Sequence, residues 1–289
     1  MTKLSDVEDR PAVLSARRQQ VSAATARSAL LTILGEYVHP AGTPVWTSTF
    51  VEALGLLGFE EKAARQALAR TSAQGLIEST RDGRRVHWSL TSHGHDMLKE
   101  GTDRIYGFMR HRRPWDGRWL VVSVPIPETR RKLRHQLSTR LSWLGLGSPT
   151  PGLWITPNTE RSPDVEAVLN ELDLADHAAA WIGPSTRPRP ESQLLARAWD
   201  LGQVAVDYDV FISEFEQLDA HTPTDAFVAQ VQLVQAWRRF PFIDPDLPAE
   251  LLEPGWPGIR AANAFHDRHA RWHRSAQAAW VSLSADQPH

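Results

Sequence analysis

From Ala26 to Val38 the apolar positions Ala29, Leu30, Ile33, Leu34 and Tyr37 recur every three or four residues, the spacing of one helical face. His39-Pro40 and Gly42 predict its end, because a residue before proline avoids the helical region and glycine accepts a turn. A second helix is expected from Thr47 or Ser48, either of which can cap it, to the region of Gly55 and Gly58. The third, from about Glu60 to Gln74, carries a narrow stripe of Ala64, Ala67, Leu68 and Thr71, small enough to pack closely on its predecessors. Lys62, Arg65, Gln66 and Ala69 fall off that stripe, Arg70 lies near its edge, and Gly75 predicts a left-handed cap.

The period then changes from helical to alternating. Residues 76–80 and 85–91 read as strands, and Asp82-Gly83 between them is a tight-hairpin signal, with Arg81, Arg84 and Arg85 at the tip. Three helices followed by a basic hairpin predict a winged helix-turn-helix, the third helix suited to the major groove and the hairpin to neighbouring backbone. A further helix through Met97, Leu98, Ile105 and Phe108 should cover this module and lead out of it. His93 and His95 at its start differ by one residue and so face different ways, which fits capping and surface roles better than a metal site.

A second body begins near Met109. Trp119 to Val124, apolar but for Ser123, reads as a buried strand, ended by Pro125 and Pro127. Thr129 to Leu144 is amphipathic, with Leu133, Leu137 and Leu141 on one side, and short strands are expected around Leu153 and from Ala179 to Ile182, with a helix between them. Strand, helix, strand, helix, strand suggests a ferredoxin-like α/β domain with one strand ill-defined. From about Gln193 onward the apolar positions return to helical spacing. The expected fold is therefore α+β and multidomain: an arm over 1–25, a winged helix-turn-helix over 26–108, a ferredoxin-like middle domain over 109–190 and a helical C-terminal domain over 191–289.

Composition narrows the function classes. The chain has 289 residues, 42% of them apolar and 23% charged, as in an ordinary globular protein. No apolar run approaches the roughly 18 residues that span a bilayer, and a cytoplasmic address without membrane contact is expected. With no cysteine, disulfides, thiolate zinc sites and thiol nucleophiles are excluded. The net charge of −2 hides an asymmetry. Lys62 to Arg85 holds six basic and two acidic residues, Met109 to Thr159 nine and two, and from Glu160 onward there are ten against twenty. The basic half is suited to polyanions, although a charge cluster alone equally marks a solvated face.

On that basis the DNA-binding candidates are Lys62, Arg65, Gln66, Arg70, Arg81, Arg84 and Arg85. Arginine can bond guanine and glutamine adenine through paired hydrogen bonds, so Arg65 and Gln66 are candidate base readers, and the hairpin arginines are candidate phosphate contacts. His266, His269 and His273 stand at i, i+3 and i+7 on the last helix and can line one face, where two imidazoles on adjacent turns can share a zinc or nickel ion. The interspersed Arg268, Arg271 and Arg274 fit a polar outer face instead, so no metal is favoured and no cofactor is required. There is no Gly-x-Ser-x-Gly elbow, P-loop or dinucleotide fingerprint, and an enzyme is not expected.

Several motifs together resemble one family: "ARQALARTSAQGLI", the "GRR" at Gly83 to Arg85, "WDGRWLVV" from Trp115, "LSWLGLGSPTPGLWITP" from Leu141 and "FIDPDLPAELLEPGWPG" from Phe242. Their order and content are similar to PaaX-type repressors of phenylacetic acid degradation. The resemblance implies an N-terminal winged helix, a middle domain like the small CRISPR adaptation ribonuclease and a helical C-terminal domain. It also implies a homodimeric repressor on a partly palindromic double-stranded operator, released by an acyl-coenzyme A effector such as phenylacetyl-coenzyme A. Arg130, Arg131 and Arg134 can meet the phosphates of such an effector, and Trp143 and Trp154 can frame its acyl group, although ordinary core explains the tryptophans as well. The ribonuclease carries a metal-holding aspartate just after its first strand. Here "VVSVPIPETRR" offers proline and isoleucine, so the alternative of a metal-dependent nuclease lacks its ligand. A scaffold that does not bind DNA is the other alternative.

Overall fold

The computed structural model describes residues 25–110, 114–185 and 191–285. Apart from Thr25, the arm expected over 1–25 lies outside them. The described chain divides into two compact units. One takes the residues up to Tyr106, Phe215–Arg238 and the stretch from Ala264; the other takes Gly107–Glu214 and Arg239–Asn263.

In the first unit, Thr25 caps α1 (Ala26–Ile33) by accepting from the Ser28 N–H at 3.1 Å. Ala29, Leu30, Ile33, Leu34 and Tyr37, the expected stripe, are all buried. The helix does not stop at His39-Pro40. A widened turn over Leu34–Val38, with the His39 N–H bonded to the Leu34 carbonyl, carries it on through His39–Ala41 to Gly42, whose φ of 64° ends it. Pro40 has no N–H for the Glu36 carbonyl four residues back, and Gln277 Nε2 donates to that oxygen instead, at 3.2 Å.

After a two-residue strand, β1 (Val45–Trp46), come α2 (Thr47–Leu56) and α3 (Glu61–Ala73), then the hairpin strands β2 (Ile77–Asp82) and β3 (Arg85–Leu90). The antiparallel sheet has the order β1-β3-β2. Thr47 is not the cap expected of it. Its hydroxyl donates to the Val86 carbonyl at 3.0 Å and accepts from Trp88 Nε1 at 2.9 Å, which ties the start of α2 to β3. The hairpin turn falls on Gly83-Arg84, one residue later than the sequence suggested, with Asp82 paired to Arg85. Gly83 takes φ 58° at the first central position, which only glycine adopts at little cost.

The helix α4 (Ser92–Gly107) starts directly against the hairpin's base. A Cβ on Gly94 would lie 2.0 Å from the Leu76 carbonyl oxygen, a backbone atom that already accepts from the Thr91 N–H. Gly94→Ala is therefore expected to destabilise the first unit by about 2 kcal/mol, read as a lower denaturant midpoint, because the helix must shift bodily.

The second unit contains β4 (Arg118–Ser123), α5 (Arg131–Trp143), β5 (Gly147–Thr150), β6 (Leu153–Thr156), α6 (Ser162–Glu171) and β7 (Ala179–Pro184). All strand pairings are antiparallel in the order β5-β6-β4-β7, the double split β-α-β arrangement expected of a ferredoxin-like unit. The ill-defined strand is β5, a glycine- and proline-containing segment with an irregular register that no alternation betrays. Leu120 and Val122 pack with Leu137, Leu141, Val165 and Leu169, while Trp119 and Ile155 pack on the other side with Leu195, Leu247 and Leu251. Both faces of β4 are covered, which is why Trp119–Val122 reads as apolar without alternation.

The remaining elements are α7 (Glu191–Ala198), α8 (Leu201–Phe215), α9 (Pro223–Trp237), α10 (Phe240–Ile243) and α11 (Pro257–Ala285). A reciprocal capping box of Thr222 and Asp225 starts α9. Phe227 of α9 and Trp280 of α11 meet Tyr37 at centroid distances of 5.1 and 5.4 Å, so these two helices complete the core of α1 and α2. No helix among the described residues is long and apolar enough to cross a membrane.

Candidate nucleic-acid interface

The helix α3 buries Ala64, Ala67, Leu68 and Thr71 and nothing else. Because those side chains are small, the helix sits close to α1 and α2 and turns its remaining positions outward. Lys62, Arg65, Gln66, Ala69 and Arg70 are all exposed. Glu61, Lys62, Arg65, Gln66 and Ala69 line one shallow open depression. Arg65 Nε pairs with Glu61 Oε1 at 2.7 Å one turn earlier, both side chains about 60% exposed. Such a pair contributes only about 0.3–0.5 kcal/mol, so a base edge or phosphate can take Arg65 at small cost.

On the hairpin, Arg81 and Arg84 are exposed at the tip. Arg85 is half-buried, with its guanidinium 4.5 Å from the centroid of Trp46 in β1, a cation–π contact that braces the hairpin. The third helix and the hairpin tip therefore offer six outward basic or amide side chains, Lys62, Arg65, Gln66, Arg70, Arg81 and Arg84, and one, Arg85, held inward.

The same unit holds a buried polar cluster that periodicity did not reveal. Glu36, in the widened turn, accepts from Tyr106 Oη, from Gln230 Nε2 at 2.8 Å and from His269 Nε2 at 2.8 Å. Burial pushes the Glu36 carboxyl up, but the His269 hydrogen bond and charge, with the Tyr106 and Gln230 bonds, outweigh it and hold the group below the usual carboxylate range. Burial and the adjacent Glu36 charge push the Tyr106 hydroxyl far up, so it remains a donor. His269 thus has its Nε2 committed to Glu36, while its ring lies 5.5 Å from that of His273. No group of three or more His, Asp or Glu among the described residues is arranged to hold a metal ion. A charge at Glu36 inside the stripe of Leu34, Tyr37 and Val38 was the one sequence signal for this cluster.

In the second unit a cavity of about 880 Å3 opens between α5 and the turn at Val124 to Pro127. Arg131, Arg134 and Trp154 line it, together with His135, Ser138 and Ser148. Arg134 also donates to the Ile126 carbonyl at 3.3 Å. Arg130 and Trp143 are not among its walls, and Trp143 is 56% exposed. The turn itself reads Val124-Pro125-Ile126-Pro127, without a carboxylate at the end of β4.

Comparisons with known proteins agree along most of the described chain. Family models match in succession: "PaaX-like protein" over residues 25–94, "PaaX protein central Cas2-like domain" over 112–195 and "PaaX-like protein C-terminal domain" over 199–282. The chain is 30% identical over 246 residues to the transcriptional repressor PaaX of Escherichia coli (strain K12), covering 81% of this chain and 76% of that one. Its fold is similar to that of the uncharacterized protein Rv0674 from Mycobacterium tuberculosis, with a TM-score of 0.61, 22% identity, and coverage of 89% and 99% of the two chains.

Proposed function

The chain belongs to the PaaX family of regulators, and from that premise we propose that it is a cytoplasmic transcriptional repressor whose N-terminal module is a winged helix-turn-helix. The observation that carries this reading is the outward face of α3 beside an arginine-tipped hairpin. Two protomers place their α3 helices in successive major-groove faces of a partly palindromic operator, with Arg65 and Gln66 on base edges and Arg81 and Arg84 on phosphate. Arg85 acts through Trp46 by holding the hairpin rather than by reaching DNA. Nuclease chemistry in the middle domain is disfavoured, because proline follows the end of β4 where the metal-holding carboxylate would stand.

The effector is an acyl-coenzyme A such as phenylacetyl-coenzyme A, and the α5 cavity is its site. Arg131 and Arg134 supply cations for its phosphates, and Trp154 a flat apolar wall. Release follows only if the effector prefers the protomer arrangement that no longer fits the operator; full reversal needs a difference of about 5.5 kcal/mol.

Fluorescence anisotropy of labelled DNA from upstream of this protein's own gene tests the reading. Tight binding that weakens steeply with salt, and that phenylacetyl-coenzyme A reverses, is the expected result. Absence of sequence-preferring binding across a panel of promoters would sink it.

A further inference from the structure

A second, smaller cavity of about 280 Å3 adjoins the first and shares Ser138, Ser148 and Trp154 with it. Both are built within the second unit. One face of α5 runs along the pair: Arg131, Arg134 and His135 line the larger cavity, Ser138 lines both, and Ser142 lines the smaller. These positions follow at three- and four-residue steps, so they share a helical face. That face is cationic at its start and hydroxylic at its end. Its other walls in the smaller chamber include Trp199, at the end of α7, and Asp244, after α10.

The smaller chamber is not an apolar acyl pocket. Asp244 is buried, its Oδ2 accepting from Tyr208 Oη at 2.7 Å and its Oδ1 from the Asp246 N–H at 2.7 Å, which fixes the carboxyl in place. Trp199 is pressed onto the backbone of β5: a Cβ on Gly147 would lie 2.4 Å from its indole, so only glycine admits the ring there. Ser138 and Ser142 add hydroxyls to the same walls, and a plain phenyl ring packed over them would strip their water without offering a bond in return.

We propose that this chamber selects an effector whose acyl group carries a hydroxyl or comparable hydrogen-bonding substituent, a hydroxylated arylacyl thioester in preference to an unsubstituted one. The inference rests on the reading of the larger cavity as the thioester's site. The coenzyme end lies along Arg131 and Arg134, the chain passes Ser138 and Trp154, and the substituent meets Ser142 and Asp244. A site built to bond a hydroxyl rejects the analogue lacking it far better than an apolar pocket separates two ligands differing by a methylene.

Calorimetric titration of the full chain with para-hydroxyphenylacetyl-coenzyme A and with phenylacetyl-coenzyme A tests this. The hydroxylated thioester is expected to bind at least about tenfold more tightly. Ser142→Ala, at an exposed position, and Ser138→Ala should each erase much of that preference. Arg131→Ser should weaken both thioesters alike. Equal affinity for the two, or a preference that survives both chamber variants, overturns the chamber's role and leaves the thioester site standing. Binding of neither thioester overturns the effector reading and this inference together.

Discussion

Replacing His269 with alanine will make the backbone amides of α1 exchange with solvent about a hundredfold faster, a loss of about 3 kcal/mol in the first unit. The Glu36 carboxylate is buried at the widened turn of α1, and His269 lowers its pKa more than either of its other side-chain partners. Taking away one partner of a buried charge leaves it undercompensated. The loss sits at the low end of the usual range because Tyr106 and Gln230 still donate. His269→Gln, which retains a donor, should lose less. Unchanged exchange in the alanine variant would show that the cluster adds nothing to stability.

The same cluster sets a pH dependence. Glu36 is held below its ordinary value near 4.5 in the folded chain. Its stabilising contribution is therefore complete above that value and disappears as pH falls through the lowered folded pKa. Without His269 the folded pKa moves back up. The acid-unfolding limb of His269→Ala should then begin at higher pH than that of the wild type, which an acid titration followed by circular dichroism would detect.

Local pattern carried much of the architecture because the elements that matter for it are strongly periodic. The five stripe residues from Ala29 to Tyr37 and the four of α3 are all buried, and Trp119–Val122 of the covered strand β4 reads as unbroken. What stayed hidden depends on distant partners. Pro40 looked like a helix end, because its missing hydrogen bond is replaced by Gln277, 241 positions from the Glu36 carbonyl it serves. Thr47 looked like a cap, because nothing local announces Val86 and Trp88 as its partners. The short strands β1 and β5 have too few residues for alternation to register. Among site residues, the outward set on α3 follows directly from helical spacing, whereas Arg85 needed Trp46 to reveal that it is held inward. The cavity joins Arg131, Arg134 and Trp154 and omits Arg130 and Trp143. His135, Ser138 and Ser142 continue the Arg131 face at helical steps, a signal the sequence did contain.

Arg65→Ala and Arg84→Ala should weaken operator binding in different ways, and the difference separates a base reader from a phosphate contact. Arg65 stands mid-face on α3, one turn from Glu61, where a side chain entering the major groove can meet a base edge. Its removal is expected to cost about 1–3 kcal/mol on the operator, to cost less on unrelated DNA, and to relax sequence preference at one position. Arg84 stands at the hairpin tip, exposed. Its removal should weaken binding to all duplexes by a similar factor and reduce the slope of log affinity against log salt by about one, since one fewer counterion is released. Arg85→Ala adds a third signature. Its guanidinium lies over Trp46, so its loss should loosen the hairpin and lower affinity with a smaller change in salt slope than Arg84→Ala. Salt-dependent anisotropy on operator and scrambled duplexes reads all three. If Arg65→Ala lost affinity equally on both duplexes, α3 would be a phosphate-binding helix and the source of sequence preference would have to lie elsewhere in the chain.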